Sequence, residues 1–411
     1  MYYQLNLREV TYVLTEALDY VGINDIHHGK RAAYIAYEIG KNMGWRQAKL
    51  DKLMLMAMLH DCGVSLTDVH NSIVCNLDWE DAQIHCDRGA KLLQSVPIYS
   101  EFSDIIALHH THWDQFLPQI DEEIKLYANL IYLSDRIDAL RSQFGAHLSQ
   151  EKEYIRSIIR KYTPELFAPK LCDAFIELSH TDFFWHYLES DPLHYYFKEW
   201  VEKGKIETVP FSLLKSIASM FANIVDAKDQ SNKHQSLMVA SLARNIAELC
   251  HLSIGEQDEI ELAALFQNLG KLRIPDAILE KSTSLSDDEQ IKIKRQGFDT
   301  QIILRQIKGF DYIAKIISFY YKEMMSPPQE KSYQAKENTL IPLEASILMI
   351  ANTFQTQLHG STKETITSVE IDTILDTLIT KSHQLERDTK EDIASYLKCY
   401  LEKGIEPIFY M

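Results

Sequence analysis

Seven residues in the first third of the chain carry side chains able to hold metal ions: His28, His60, Asp61, His85, His109, His110 and Asp135. Imidazole nitrogen and carboxylate oxygen together suit Fe, Mn or Zn better than Ca or Mg. Taken singly, each has an ordinary reading, since a lone histidine on an apolar helix is more often a hydrogen-bonded core residue than a ligand. The ordered pattern is far more specific than any of its members. It is expected to hold two divalent transition-metal ions. One would sit among His28, His60, Asp61 and Asp135, the other among His85, His109 and His110, with Asp61 bridging. Two such ions suit phosphoester hydrolysis, where they activate the nucleophile and offset charge on the phosphoryl oxygens. Asp61 is therefore a catalytic candidate as well as a ligand. Arg31 and Arg88 are candidates for phosphate contact, set against the plainer reading of a salt-bridged or solvated helix face. Asp138 reads as an acid supporting a ligand rather than a ligand itself. The other histidines, His112 included, are assigned structural or surface places.

Adjacent side chains on a helix diverge by about 100°, so His60-Asp61 needs other helices to bring the remaining donors to it. The apolar frame for such convergence occurs twice. Leu53 to Leu59 runs into His60-Asp61-Cys62-Gly63 as Leu262 to Phe266 runs into Gln267-Asn268-Leu269-Gly270. Ile105 to His110 matches Ile316 to Tyr321, and Leu130 to Asp135 matches Ile347 to Asn352. In the second copy the donor positions read His234, Gln267-Asn268, Gln296, Tyr320-Tyr321 and Asn352, where neutral amides and phenols replace nearly every ligand. This is a tandem duplication of a whole domain. Apolar residues recur at helical steps, as in Val10, Leu14, Ala17, Leu18 and Val21, and strand-like alternation is hard to find. The expected architecture is all-α: a metal-binding bundle over 1–145, an aromatic-rich helical connector over 146–205 whose rings pack both domains together, and a second bundle over 206–411. Gly204 to Pro210 is the expected boundary, and 325–331 an exposed irregular loop.

The bulk composition is that of a globular chain of 411 residues, 46% apolar and 25% charged, with room for a core in each half. A net charge of -17 argues against a nucleic-acid polymer as partner, because polyanion binding needs a basic surface. A small anionic ligand remains compatible, since bound metal supplies local positive charge. Six scattered cysteines without a CxxC pair suit a reducing cytoplasm. The N-terminal residues do not read as a signal peptide, and no apolar run reaches the ~18 residues of a membrane helix. A cytoplasmic protein with no membrane partner is expected.

His28-Gly29-Lys30-Arg31, His60-Asp61 and the run Asp135 to Leu140 resemble the HD-domain metal-dependent phosphohydrolase superfamily. With His85 and His109-His110 the chain is similar to the HD-GYP branch, and Gly270 to Lys281 resembles the stretch that follows HD there. The resemblance implies a metal-dependent phosphodiesterase acting on a nucleotide-like signalling molecule such as a cyclic dinucleotide. The first copy departs from the pattern: Val64 stands for the usual lysine, no glutamate follows the His pair, and Gln115-Phe116-Leu117-Pro118 replaces the Gly-Tyr-Pro signature. The second copy keeps Lys271 but not the ligands, which implies a regulatory or dimerising domain, or one that meets a signalling partner. The competing reading is a non-enzymatic module that senses metal, redox state or nucleotide through the same dinuclear site.

Overall fold

The computed structural model describes residues 2–22, 27–143, 148–228, 235–325, 342–360, 372–373, 376 and 385–403. They are almost wholly helical. The one departure from the helix-only expectation is a sheet of two short strands, β1 (Tyr2–Asn6) and β2 (Ile206–Pro210). No described helix is long and apolar enough to cross a membrane. The chain divides into two compact units, Leu5–Glu207 and Met1–Gln4 with Thr208–Met411.

In the first unit α1 (Leu7–Asp19) starts where Asn6 accepts the Arg8 main-chain N–H at 3.0 Å. It lies against α2 (His28–Asn42) and α3 (Gln47–Leu59), which pack on one another. After α4 (Thr67–Cys75) come α5 (Ala82–Gln94) and the short α6 (Ser103–Ala107), then the long α7 (Glu122–Ser142). From Tyr127 to Leu140 every residue of α7 is buried. A helix buried on all sides is the axis of its bundle, and α2, α4 and α6 surround this one.

The expected connector is not a separate element. The helices α8 (Leu148–Lys161), α9 (Pro169–Leu178), α10 (Asp182–His186) and α11 (Ser190–Glu202) belong to the first unit. Their aromatics are spent on its core: Phe184 stacks on Tyr34 at 5.8 Å and Phe197 on Tyr12 at 5.2 Å. Asn129 at the centre of α7 clasps the main chain before α9, donating to Leu166 O and accepting from Ala168 N, both at 2.8 Å. A stretch this apolar can bury its surface on the nearest bundle, and that is α2 and α7.

The second unit repeats the plan. Among its described residues the helices are α12 (Phe211–Asp226), α13 (Gln235–Leu249), α14 (Ile254–Phe266), α15 (Asp276–Leu279), α16 (Asp287–Arg305), α17 (Asp311–Met325), α18 (Leu343–Gly360) and α19 (Arg387–Lys403). Capping boxes at Ser253–Glu256 and Ser286–Glu289 start α14 and α16. Two backbone devices recur in both units. The carboxylate ending α1 accepts a main-chain N–H ten residues on, Asp19 from Gly29 at 2.8 Å, and Asp226 takes Ser236 in the same way at 2.9 Å. Gly63 crosses His85 O so closely that a Cβ there would overlap it, and Gly270 crosses Gln296 O identically. The first device sets the register. The position matching His28 is Gln235, one residue after the expected His234, which lies outside the described residues.

Candidate metal centre

His28 opens α2, His60 and Asp61 follow the end of α3, His85 lies on α5, His109 and His110 follow α6, and Asp135 sits on the buried middle of α7. The structure brings all seven together. His28 Nε2 is 3.1 Å from Asp135 Oδ1 and 3.8 Å from Asp61 Oδ2. His60 Nε2 is 3.4 Å from Asp61 Oδ2 and 4.0 Å from Asp135 Oδ1. The other Asp61 oxygen turns to His85 Nε2 at 3.4 Å, and His85 Nε2 lies 3.3 Å from His109 Nε2. His110 Nε2 is 3.6 Å from Asp135 Oδ2. Ligand bonds of about 2.0–2.2 Å at ordinary coordination angles place neighbouring donors ~3–3.5 Å apart, so these spacings suit shared cations.

The atoms facing inward fit metal on a second ground. His28 Nε2, His60 Nε2, His110 Nε2, both Asp61 oxygens and Asp135 Oδ1 are buried without hydrogen-bond partners. Buried polar atoms rarely go unpaired, and a cluster of them around one point is a set of lone pairs suited to a cation. The outer nitrogens are fixed. His60 Nδ1 and His109 Nδ1 each lie 2.7 Å from the carbonyl three residues back, Ala57 O and Ile106 O. His28 Nδ1 lies 2.8 Å from Asp138 Oδ2. With Nδ1–H donating outward, Nε2 presents its lone pair inward.

Electrostatics prepares the same state. Burial, then the neighbouring His85 and His60, pulls His109 down to about 3, and burial pulls His85 and His110 below the ordinary imidazole value too. Burial raises Asp61, but His60 and His85 outweigh it and leave it at about 2. Burial likewise opposes the Asp135 carboxylate, and Arg136 and His28 hold it well below its usual range. Burial lowers His28, yet the carboxylates of Asp135 and Asp138 beside it win and hold it well above the ordinary value. His85, His109 and His110 are thus held neutral beside ionised carboxylates, as a cation requires, while His28 must give up its proton on binding one.

The two arginines lie closer to the plainer of their two readings than to phosphate contact. Arg31 is buried and grips Asp138 with Nε at 2.6 Å and Nη2 at 3.0 Å, so it braces the carboxylate behind His28 in place of a phosphate. Arg88 donates through Nη1 to Gly63 O at 2.7 Å and Ser65 Oγ at 2.8 Å, pinning the loop after His60-Asp61. In both cases a nearby acceptor in the folded chain satisfies the guanidinium. His112 turns outward to Asp78 at 3.0 Å. Sequence reasoning missed Arg136, whose Nε and Nη2 hold Asp135 Oδ2 at 3.1 and 2.7 Å while Nη1 reaches Ile73 O at 2.8 Å. Its place directly after Asp135 was the available signal.

The matching positions of the second unit hold no such set. Asn268 accepts from the Tyr321 hydroxyl at 3.0 Å, and Asn352 donates to Tyr320 at 2.6 Å. Gln267 is fully buried with both amide atoms unpartnered. Neutral amides and phenols pairing with one another make a poor cage for a divalent cation.

Family models described as HD domain match residues 25–140 and 219–376. Over 366 residues the chain is 29% identical to 3'3'-cGAMP-specific phosphodiesterase 1 of Vibrio cholerae, spanning 86% of this chain and 83% of that protein. It is 22% identical over 373 residues to 3'3'-cGAMP-specific phosphodiesterase 3 of the same organism, spanning 77% and 79%. A crystal structure of a cyclic GMP-AMP-specific phosphodiesterase from V. cholerae superposes with a TM-score of 0.61 over 97% of this chain and 98% of that one. At 21% identity that superposition shows a common fold.

Proposed function

This chain belongs to the HD-domain family, with two copies in tandem, and from that premise we propose that the first copy is a metal-dependent phosphodiesterase of cyclic dinucleotides. One observation carries the reading: seven donors from five helical neighbourhoods converge, and in His28, His60, Asp61, His110 and Asp135 the inward atoms are unpartnered. HD-domain phosphohydrolases depend on metal. Here His28, His60, Asp61 and Asp135 would hold one ion and His85, His109 and His110 a second, with Asp61 reaching both sets. Fe or Mn suits this mix, and Zn is compatible with it. Bound ions supply charge to offset the phosphoryl oxygens and to lower the pKa of water.

The chain's own residues orient and insulate this chemistry. Asp138, gripped by Arg31, fixes the ring of His28, and Arg136 fixes Asp135. The Asp61 side chain is 15% exposed, whereas His28, His60, His85, His110 and Asp135 are each at 5% or less, so substrate phosphate would approach from the Asp61 side. Local cation charge then reconciles a chain of net charge -17 with an anionic substrate. By their names, the two curated relatives above act on 3'3'-cGAMP, and 3'3'-cyclic GMP-AMP is the first substrate we assign, with cyclic di-GMP the second. The second copy would serve regulation or self-association. Six unpaired cysteines favour a reducing compartment, the cytoplasm.

The test pairs elemental analysis with hydrolysis of the two cyclic dinucleotides by Fe- and Mn-loaded protein. Close to two ions per chain and turnover of at least one dinucleotide are expected. His60→Ala should abolish turnover, and Gln267→Ala should leave metal content intact. A metal-supplemented preparation with no bound ion would refute the site, and a loaded one inert on both dinucleotides would refute the substrate class.

A further inference from the structure

Resting on the metal-site reading above, we propose that Cys86 is an additional ligand, its thiolate joining His85, His109 and His110 at the second position. The Cys86 sulfur and one nitrogen of each imidazole all lie within 4.8 Å of one another, on buried side chains. Cys86 Sγ is 3.8 Å from His85 Nε2. The S–H donates to Ala82 O at 3.2 Å. The other buried cysteine nearby, Cys62, lies 3.7 Å from Gly89 O.

The second unit shows the same position without the role. Gln296 matches His85, so Gly297 matches Cys86. A Cβ at Gly297 would overlap the ring of Tyr321, the residue that replaces His110. Where the imidazoles are gone, the sulfur is gone with them and a phenol ring occupies its space.

On binding, the S–H bond breaks, a metal–sulfur bond forms and the proton passes to the buffer, with no change of oxidation state. Three imidazoles with a thiolate form a softer set than the carboxylate-rich first position. The second position should therefore favour Zn, Fe(II) or Co(II) over Mn and Mg.

The test adds Co(II) to the metal-free full-length chain and records its absorption. A sulfur-to-cobalt charge-transfer band in the near ultraviolet is expected beside the visible ligand-field bands. It should disappear in Cys86→Ser and Cys86→Ala and persist in Cys75→Ser, which changes an exposed cysteine. Full cobalt occupancy without the band, or a band that survives both Cys86 substitutions, overturns the proposal and leaves the donor site standing. Failure to bind cobalt at all overturns the metal site and this ligand with it. Should the Cys86 variants not fold, X-ray absorption of the cobalt-loaded native chain decides. Sulfur scattering at half a neighbour per cobalt supports the assignment, and none refutes it.

Discussion

Replacing Asp138 by asparagine probes the backing of His28. The Asp138 oxygens receive His28 Nδ1 at 2.8 Å, Arg31 Nε at 2.6 Å, Arg31 Nη2 at 3.0 Å and Arg141 Nε at 3.1 Å, in a fully buried setting. Asparagine keeps the shape and one acceptor but removes the negative charge that the buried Arg31 grips. Breaking a buried ion pair from one side costs about 3–5 kcal/mol. The retained acceptor recovers roughly 1 kcal/mol, so a loss of about 2–4 kcal/mol is expected in urea unfolding of the metal-free chain. Metal affinity should fall about 10–100-fold at the His28 position, because the ring is no longer oriented by a carboxylate. That equals about 1.4–2.7 kcal/mol. Chelator competition should resolve the loss at one ion and no change at the other. Adding Arg31→Met should restore much of the stability, since no buried charge is then left, but not the affinity. An Asp138→Asn chain with an unchanged unfolding midpoint and two unchanged affinities would refute the reasoning.

Three further outcomes are expected. Burial pushes Asp19 from the ordinary 3.8 up to about 6. The folded chain therefore binds this proton more readily than the unfolded one, and stability falls as pH rises across that window. Asp19→Asn, which can still accept from Gly29, should remove this slope in unfolding measured from pH 4 to 7. It should also exceed the native chain at pH 7 by on the order of 3 kcal/mol. Gly63→Ala should push α5 and His85 away and strip the second metal position, whereas Gly270→Ala should cost similar stability and leave metal content unchanged, as elemental analysis would show. Arg88→Met frees Gly63 O and Ser65 Oγ and should loosen that loop. Faster amide exchange at 63–66 with both ions retained is the expected readout, and loss of the ions would return Arg88 to a direct role at the site.

The helices and the ladder of donors were legible because both are periodic or paired signals. Leu53 to Leu59 announces its helix, and His60-Asp61 has a counterpart in Gln267-Asn268 for contrast. The arginines were not legible, because the acceptor of Arg31 is Asp138, 107 residues away, and only the packing of α2 on α7 makes that partner. The offset between His234 and Gln235 was hidden for a similar reason. Sequence alignment prefers the matching histidine, while the register is set by Asp226 binding Ser236 N. The aromatics of 146–205 gave composition without direction, and composition does not say which surface a ring covers. Cys86 escaped notice because side chains next to each other on a helix usually diverge, and here the sulfur nonetheless lies 3.8 Å from His85 Nε2.

The paired glycine crossings, Gly63 over His85 O and Gly270 over Gln296 O, mean that loss of the donors left the main-chain path intact. What separates an ion-holding half from a silent one is then a handful of side chains on one shared scaffold. Such a change is reversible in principle: Gln235→His, Gln267→His, Asn268→Asp and Asn352→Asp, with Tyr320 trimmed to make room, would refit the silent half with the first half's four-donor set.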